Sequence, residues 1–272
     1  MAIITLTTDF GLKDYSVGII KGSILSDFSE AQIIDITHEI EPFNLIETAF
    51  IISNSFRSFP KGTVHIIAVD ALVHPNIKAI AAEIDGHFFV CNDNGILSLI
   101  LQDLKPKNIV EVTIKKYEEI SFLVKELFVP VACHLARGGM LEVIGRKTNQ
   151  LLELSQLKPS IGENTITGTI VYIDNFGNAI SNISHKLFKE IGKTKAFTVN
   201  ARNYNFSIIH NNYVDIVHDF DEEIKYHGEK IALFNCHDFL EIALYKSNKN
   251  TVGSATSLLG LGIGERISVT FH

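Results

Sequence analysis

Short apolar runs rich in β-branched residues alternate with stretches of helical period along the first half of the chain. Ile3–Thr7 and Val64–Val69 have the length and composition of buried strands. Asp14–Leu25 and Leu45–Ser55 repeat apolar residues at intervals of three and four positions, which predicts helices. This alternation is typical of an open, mostly parallel sheet that is covered by helices.

Turn and helix-start signals add further elements to this half of the chain. Ile77–Ile84 and His87–Cys91 flank the dipeptide Asp85-Gly86, which predicts a β-hairpin. A proline in the first turn predicts a helix over Phe128–Ala136.

Beyond residue 160 the pattern changes to short strand-like runs that are separated by turn residues. Helical period returns only near Ser184–Ile191. The predicted strands are Thr165–Ile173, Ala196–Val199, Tyr204–Ile208, Lys230–Asn235, Glu241–Leu244 and Arg266–Phe271. Many short strands with little helix indicate a small all-β domain, a barrel or a sandwich.

The predicted fold class is therefore α/β, with a second domain of different architecture. We expect an N-terminal domain with a Rossmann-like α/β sheet over residues 1–153 and a smaller C-terminal all-β barrel over residues 165–272. Pro159 and Gly162 mark the segment 154–164 as the linker between them.

Composition and charge narrow the function classes. Of 272 residues, 31 are acidic and 24 are basic, and the formal charge of −7 argues against a general nucleic-acid binder. No run approaches the ~20 apolar residues of a membrane span, and no signal peptide is evident at the N-terminus. Together with three widely spaced cysteines, these features predict a cytoplasmic protein with no nucleic-acid or membrane partner.

The first candidate for chemistry is Asp9, which follows the first predicted strand. In an open α/β sheet, ligands bind at the carboxyl ends of strands. A carboxylate there can accept hydrogen bonds from both hydroxyls of a ribose, although Asp9 could equally cap the next helix. The chain has neither GxGxxG nor a P-loop, which favours a nucleoside-type ligand over a dinucleotide or a triphosphate.

Two further clusters of polar residues follow predicted strands. Asp70, His74 and Lys78 offer groups for acid–base chemistry, or else form a solvated loop. Asp174 and Asn178 offer an acceptor and a donor for a small polar ligand, or else form only a turn. The 11 histidines lack the spacing of a metal site, so no metal is predicted.

Taken together, seven ordered segments resemble one family, the S-adenosyl-L-methionine (SAM) hydroxide adenosyltransferases. These are adenosine-forming SAM hydrolases related to the SAM-dependent fluorinase and chlorinase. The segments are TTDFGLKDYSVGIIKG (7–22), DITHEIEPFN (35–44), FPKGTVHIIAVD (59–70), DNGILSL (93–99), FVPVACHLARG (128–138), YIDNFGNAISNI (172–183) and NCHDFLEIAL (235–244). The resemblance implies an α/β domain followed by a β-barrel. It also implies a homotrimer whose ligand lies between the N-terminal domain of one subunit and the C-terminal domain of its neighbour.

The resemblance implies roles for four residues of the N-terminal domain. Asp9 corresponds to the carboxylate that holds the 2′- and 3′-hydroxyls of the ribose. Asp14 and Ser16 lie in the segment that faces the methionine end of SAM. Phe43 takes the place of an aromatic residue that packs on the ligand.

In the C-terminal domain the resemblance implies four more contacts. Asp174 corresponds to a residue that binds the amino group of methionine, and Asn178 to one that binds the adenine. Cys236 and His237 occupy positions where relatives have serine and arginine, which reach the adenine edge and the amino-acid carboxylate.

Two departures from the family pattern fall where the reaction should occur. Hydrolytic relatives prepare water with an aspartate, an arginine and a histidine. Here Asp70 is present, but Ile77 and Leu123 replace the arginine and the histidine. We expect His74 or Lys78 to supply the missing charge.

The expected activity is hydrolysis of SAM to adenosine and methionine, with SAM as the substrate and no separate cofactor. The alternative is a protein that binds SAM or adenosine and has lost or altered catalysis, because Ile77 and Leu123 cannot activate water.

Overall fold

The computed structural model describes residues 2–101, 104, 106–115, 120–155, 157–248, 250–251 and 253–272. It divides into two compact units, Met1–Gln156 and Leu157–His272. Each unit has its own hydrophobic core.

The first unit is a sheet with helices on both faces. Its strands are β1 (Ile3–Thr8), β2 (Gln32–Thr37), β3 (Val64–Ala68), β4 (Ala79–Ile84), β5 (His87–Asn92), β6 (Asn108–Val112) and β7 (Gly145–Lys147). Its helices are α1 (Ser16–Asp27), α2 (Leu45–Ser55), α3 (Ile96–Leu101) and α4 (Val129–Ala136). A π-helical turn at Val124–Phe128 leads into α4.

Two layers of apolar side chains hold these helices to the sheet. One core contains Ile24 of α1 and Val131 of α4, and the other contains Ile52 of α2 and Leu97 of α3. Strands β1 and β3 are buried along their whole length, as expected for strands that are covered on both faces.

The sheet has seven strands in the order β2-β1-β3-β5-β4-β6-β7. The prediction of a mostly parallel sheet is wrong for half of it. Pairs β1–β2, β1–β3 and β3–β5 are parallel, whereas β4–β5, β4–β6 and β6–β7 are antiparallel. The change occurs because β4 and β5 form the predicted hairpin, in which Asp85 and Gly86 both adopt positive φ angles, of 50° and 79°.

The second unit is an antiparallel, barrel-like sheet. Its strands are β8 (Ser160–Ile161), β9 (Thr165–Ile173), β10 (Ala179–Ser184), β11 (Phe197–Ala201), β12 (Tyr204–Phe206), β13 (Lys230–Phe234), β14 (Phe239–Leu244) and β15 (Arg266–Phe271). The strand order is β12-β11-β15-β9-β10-β14-β13, with β8 paired to β9. Two helices, α5 (His185–Gly192) and α6 (Ala255–Leu259), accompany it. The predicted fold class, α/β with a second all-β barrel unit, is confirmed.

The segment between β12 and β13 contains two 3₁₀-helical stretches, Tyr213–Ile216 and Phe220–Tyr226. Among the described residues, no helix has both the length and the apolar composition that crossing a bilayer requires.

A buried pair of histidines lies in the first unit. His65 on β3 and His87 on β5 are 0% and 3% exposed, and Nε2 of His65 lies 3.2 Å from Nδ1 of His87. The other ring nitrogen of His65 is 2.7 Å from the hydroxyl of Thr5. Burial and the neighbouring His87 lower the pKa of His65 to about 3. Burial also lowers the pKa of His87. Both rings are therefore neutral in the folded protein at pH 7.

Acidification is expected to destabilise the protein, because the unfolded chain binds a proton at His65 that the folded chain excludes. The unfolded imidazole has a pKa near 6.5. The contribution of neutral His65 to the free energy of unfolding is therefore fully present above that pH, and it is lost as the pH drops toward 3. From His65 alone, the loss in the free energy of unfolding is on the order of 4 kcal/mol by pH 3.

Urea unfolding at several pH values measures this effect. The variant His65→Gln should be less stable at pH 7 but should show a flatter dependence on pH. His218→Gln, at an exposed histidine, should keep the wild-type dependence. The same dependence in all three proteins would show that His65 is not the responsible group.

Candidate functional site

Asp9 joins three loops at the carboxyl edge of the first sheet. It follows β1 directly, and its Oδ2 accepts the backbone N–H of Phe43 at 3.0 Å and of Asp70 at 3.2 Å. Phe43 lies in the loop after β2, and Asp70 lies in the loop after β3. Among the described residues, none donates a hydrogen bond to Oδ1 of Asp9, so this oxygen is available to a ligand.

Both residues that donate to Asp9 have strained backbones. The φ angle is 65° at Phe43 and 50° at Asp70, in the left-handed region that favours glycine. Each such residue costs about 1–2 kcal/mol. Strain of this kind persists only where surrounding contacts impose it, and it is concentrated at functional sites. The hydrogen bonds to Asp9 are contacts of that type.

The start of α1 is supported by Asp14 and not by Asp9. Oδ1 of Asp14 accepts the backbone N–H of Ser16 at 2.8 Å. This hydrogen bond lowers the pKa of Asp14. The alternative in which Asp9 caps the next helix is therefore wrong. The helix also begins two residues later than the apolar pattern predicts, because Asp14 forms a turn with Ser16 and Tyr15 is the N-cap residue.

Two buried asparagines hold the backbone around Asp70. Nδ2 of Asn92 donates to the carbonyl of Asp70 at 3.3 Å and to that of Leu72 at 3.0 Å. Nδ2 of Asn94 donates to the carbonyl of Val69 at 3.3 Å. The backbone of Asp70 is thus fixed at both its N–H and its carbonyl. Its half-buried carboxylate accepts no hydrogen bond from the described residues.

His74 and Lys78 lie in the loop between β3 and β4, where one side-chain nitrogen of each has a partner inside the loop. Nδ1 of His74 accepts the N–H of Asn76 at 3.1 Å, and Nζ of Lys78 donates to the carbonyl of Pro75 at 3.1 Å. His74 also forms an isolated β-bridge with Ile77. These contacts keep the loop folded on itself.

The region around Leu123 is apolar. Leu123 is 2% exposed and belongs to the hydrophobic core of the first unit. The ring of the preceding residue, Phe122, packs against Phe10 with centroids 5.9 Å apart. Because Phe10 follows Asp9, this apolar contact lies beside the candidate site.

A buried histidine that the sequence analysis did not single out supports the Asp9 loop. His38 is 3% exposed, its Nδ1 lies 2.9 Å from the hydroxyl of Thr8, and its carbonyl accepts the N–H of Gly11 at 2.7 Å. Its Nε2 lies 3.1 Å from Asp35, a distance that suits an ion pair, although the angle falls short of a hydrogen bond. Burial raises the pKa of Asp35, but the hydrogen bond from Lys21 and the nearby His38 ring outweigh it and hold that pKa below its usual value.

In the second unit, Asp174 and Asn178 lie together on one turn after β9. Oδ1 of Asp174 accepts the N–H of Phe176 at 2.9 Å and that of Asn178 at 2.8 Å. Oδ2 of Asp174 accepts the side-chain amide of Asn178 at 2.9 Å. The turn is therefore present, and within it the carboxylate of Asp174 and the amide of Asn178 bond to each other, while their contact with a ligand stays a prediction.

This turn lines a cavity of about 450 Å³, a size suited to a small organic ligand. The other lining residues come from the same turn, from the first 3₁₀ stretch after β12, and from the end of β14 with the segment that follows it. They are Phe176, Tyr213, Leu244, Tyr245, Lys246, Ser247 and Asn248.

Cys236 and His237 lie on an exposed turn between β13 and β14. Oδ1 of Asn235 accepts the N–H of His237 at 3.0 Å and that of Phe239 at 3.1 Å, which fixes the turn. Both Cys236 and His237 are exposed, and neither belongs to the residues that line the cavity.

Glu241 is a further residue of this region that sequence reasoning missed. It is 2% exposed on β14, and its Oε1 accepts the hydroxyl of Tyr213 at 2.5 Å. Its Oε2 accepts the amide of Asn235 at 3.2 Å. Burial raises the pKa of Glu241. The signal in the sequence was a single charged residue within the otherwise apolar run FLEIAL.

No group of three histidine, cysteine, aspartate or glutamate side chains suited to a metal ion occurs in the part of the chain that the structure describes.

Comparisons with known proteins find a match for each of the two units. Residues 4–145 match the model of the SAM hydroxide adenosyltransferase N-terminal domain, and residues 168–268 match that of the C-terminal domain. An (R)-S-adenosyl-L-methionine hydrolase from Methanocaldococcus jannaschii is 28% identical over 281 aligned positions, which cover 99% of this chain and 96% of the relative.

Two other proteins show the range of the similarity. The fluorinase of Nocardia brasiliensis is 24% identical over 70% of this chain and 74% of its own. The crystal structure of an uncharacterized conserved protein from Thermotoga maritima superimposes with a TM-score of 0.84 at 29% identity. That superposition covers 98% of this chain and 99% of the other.

Proposed function

Because the chain belongs to the SAM hydroxide adenosyltransferase family, we propose that it hydrolyses SAM to adenosine and methionine. The similarity to the M. jannaschii (R)-SAM hydrolase over 99% of the chain supports this activity. The observation that carries the proposal is the arrangement of Asp9. One of its carboxylate oxygens holds the loops after β2 and β3, and the other is left for the two hydroxyls of a ribose.

In the proposed reaction, water displaces methionine from C5′ of the ribose. The water oxygen forms the new bond to C5′, the C5′–S bond breaks, and its electron pair stays on sulfur, which becomes a neutral thioether. One proton of the water leaves to a base. Methionine departs as a neutral thioether and needs no acid, so catalysis depends on in-line positioning and on removal of that proton.

Asp70 is the group that we propose as the base. Its backbone is fixed by Asp9 and Asn92, while its carboxylate has no hydrogen-bond donor among the described residues. The positions of the family's arginine and histidine offer no charge, since Ile77 is aliphatic and Leu123 is packed in the core. In this proposal, Asp70 is therefore the first group to accept the proton of the water.

His74 and Lys78 are the proposed sources of the positive charge that Ile77 and Leu123 cannot supply. Both lie in the same loop as Asp70, between β3 and β4. We expect the double variant His74→Ala/Lys78→Ala to lower kcat about tenfold with little change in KM, because a cation beside the water favours hydroxide. Steady-state kinetics at pH 7 measures both constants. An unchanged kcat removes both residues from the mechanism and leaves Asp70 as the remaining proposed group.

The proposed ligand contacts follow the family pattern. Asp174 receives the amino group of the methionine part, since a carboxylate has four acceptor positions and Asp174 uses three within its own turn. Asn178 contacts the adenine. Cys236 and His237 take the places of residues that reach the adenine edge and the carboxylate of the ligand.

In the first unit, the proposed contacts are those at the methionine end and on the face of the ligand. Asp14 and Ser16 border the methionine end of SAM. Phe43, which is 62% exposed and held by Asp9, offers its ring to pack on the ligand.

We also infer a homotrimer with ligand sites between subunits, and a cytoplasmic location. Large apolar side chains are exposed in the loops around Asp9, namely Leu12, Tyr15, Phe43 and Leu72, at 60–76% exposure. Clusters of this kind mark surfaces that a partner or a ligand covers. Light scattering on the purified protein measures the mass of the assembly, and a monomer at micromolar concentration would contradict the inference.

The decisive experiment incubates purified protein with SAM and separates the products by chromatography. The expected result is formation of equal amounts of adenosine and methionine. Calorimetric binding of SAM or adenosine without turnover would instead favour the alternative of a binding protein that has lost catalysis. No turnover and no binding of either compound would contradict both functions.

A further inference from the structure

Glu241 is the charged residue of an otherwise apolar buried strand. It lies on β14 between Leu240 and Ile242, which are both fully buried. A carboxylate in such a place is costly unless its oxygens have hydrogen-bond donors. Here each oxygen has one, the hydroxyl of Tyr213 and the amide of Asn235.

Both of these donors are neutral, so they stabilise the negative charge of Glu241 without neutralising it. No described lysine, arginine or histidine forms an ion pair with Glu241 or with Asp174. The two carboxylates are close enough to interact. The charge of Asp174 adds to burial in raising the pKa of Glu241.

The cation on the wall of the cavity is already paired. Lys246 lines the cavity, but its Nζ lies 2.8 Å from Oε1 of Glu223. The same carboxylate accepts the hydroxyl of Tyr245. Among the described lining residues, Lys246 is therefore the one cation and Asp174 the one carboxylate. Glu241 and Glu223 lie behind this lining, where they are hydrogen-bonded to Tyr213 and Tyr245.

We propose that Glu241 is a specificity-determining residue, whose buried charge makes this cavity favour a ligand of net positive charge over a neutral nucleoside. The inference rests on the proposed function, because SAM carries a sulfonium and an ammonium group against a single carboxylate. Adenosine shares the nucleoside part and carries no charge. Glu241 acts through space, with Tyr213 and Asn235 holding it in position.

The variant Glu241→Gln removes the charge and keeps the contacts. A tyrosine hydroxyl can donate or accept, so the new amide can donate to Tyr213 while its oxygen still accepts from Asn235. Calorimetry with SAM and with adenosine should show SAM affinity falling about tenfold, because a unit charge is lost at a poorly solvated site. Adenosine affinity should change by less than about threefold.

Glu190→Gln, an exposed carboxylate on α5, is the matched control and should leave both affinities at wild-type values. The wild-type protein gives an independent test. S-adenosylhomocysteine lacks the sulfonium charge and should bind about tenfold more weakly than SAM. This difference should shrink to about twofold in Glu241→Gln.

Equal binding of SAM and S-adenosylhomocysteine by the wild type overturns the role of Glu241. So does an unchanged ratio of SAM to adenosine affinity in Glu241→Gln. Either result leaves the proposed hydrolase function standing, since turnover of SAM is measured separately. If the wild type binds neither SAM nor adenosine, the proposed function itself fails.

Discussion

Replacing Asp70 by asparagine is expected to lower kcat for adenosine formation by about 100-fold or more, with little change in KM. The carboxylate of Asp70 is the proposed base, and an amide cannot take a proton from water at neutral pH. The side chain makes no hydrogen bond within the described structure, whereas the backbone N–H and carbonyl are both used. The substitution should therefore remove the proposed base and leave the fold of the loop unchanged.

Asparagine is the suitable replacement because Asp70 has a φ angle of 50°. Asparagine tolerates this region of backbone conformation better than alanine does. Thermal unfolding of Asp70→Asn should coincide with that of the wild type, and calorimetry should show SAM affinity within about threefold. Wild-type kcat in this variant would eliminate Asp70 as the base and direct attention to a hydroxide from solvent.

Replacing Asp9 by alanine is expected to lower kcat/KM by about 1000-fold or more and also to reduce stability. Two hydrogen bonds from ribose hydroxyls to a charged group are each worth about 1.5–3 kcal/mol. The same change leaves the N–H groups of Phe43 and Asp70 without their acceptor. Their strained backbones then relax, so the loss of activity combines a binding effect and a structural effect.

The variant Asp9→Asn separates the two effects. Its carbonyl oxygen can still accept from Phe43 and Asp70, while its amide presents a donor where the ribose needs an acceptor. We expect a melting temperature near that of the wild type and a kcat/KM at least about tenfold lower. Asp27→Ala, which removes an exposed carboxylate paired with Arg137, is the control and should retain full activity. Full activity in Asp9→Ala would refute the nucleoside site.

Family and fold class could be predicted from the sequence, and so could features that depend on local chemistry. The hairpin at Asp85-Gly86 is an example, because its turn requires positive φ angles at two adjacent residues. The direction of the remaining strands could not be predicted. An apolar run such as β4 or β6 has the same pattern whether its neighbour is parallel or antiparallel, so the sheet was expected to be mostly parallel.

The sequence analysis did not predict strand β10, because its polar residues are not typical of a buried strand. Ser181 donates to the carbonyl of Leu240 at 2.8 Å, and Asn182 accepts the N–H of Thr169 at 2.9 Å. Both residues read as turn formers when their distant partners are unknown.

The candidate site likewise contains residues that the sequence predicts and residues that it does not. Asp9 and Asp70 follow from the rule that ligands bind at the carboxyl ends of strands, and the structure joins them through a hydrogen bond. Asn92, His38 and Glu241 act through partners that are remote in sequence, so nothing local identified them. The roles of the predicted site residues remain predictions that the variants above will test.

The hydrogen bonds at Asp9 have a consequence for how a ligand would arrive. The loops after β1, β2 and β3 are held together through one oxygen atom, by hydrogen bonds within the chain itself. The conformational entropy of these loops is lost when the protein folds and not when the nucleoside binds. This part of the site is therefore preorganised. Recognition at the ribose should accordingly be close to lock-and-key, with an association rate limited by encounter and desolvation.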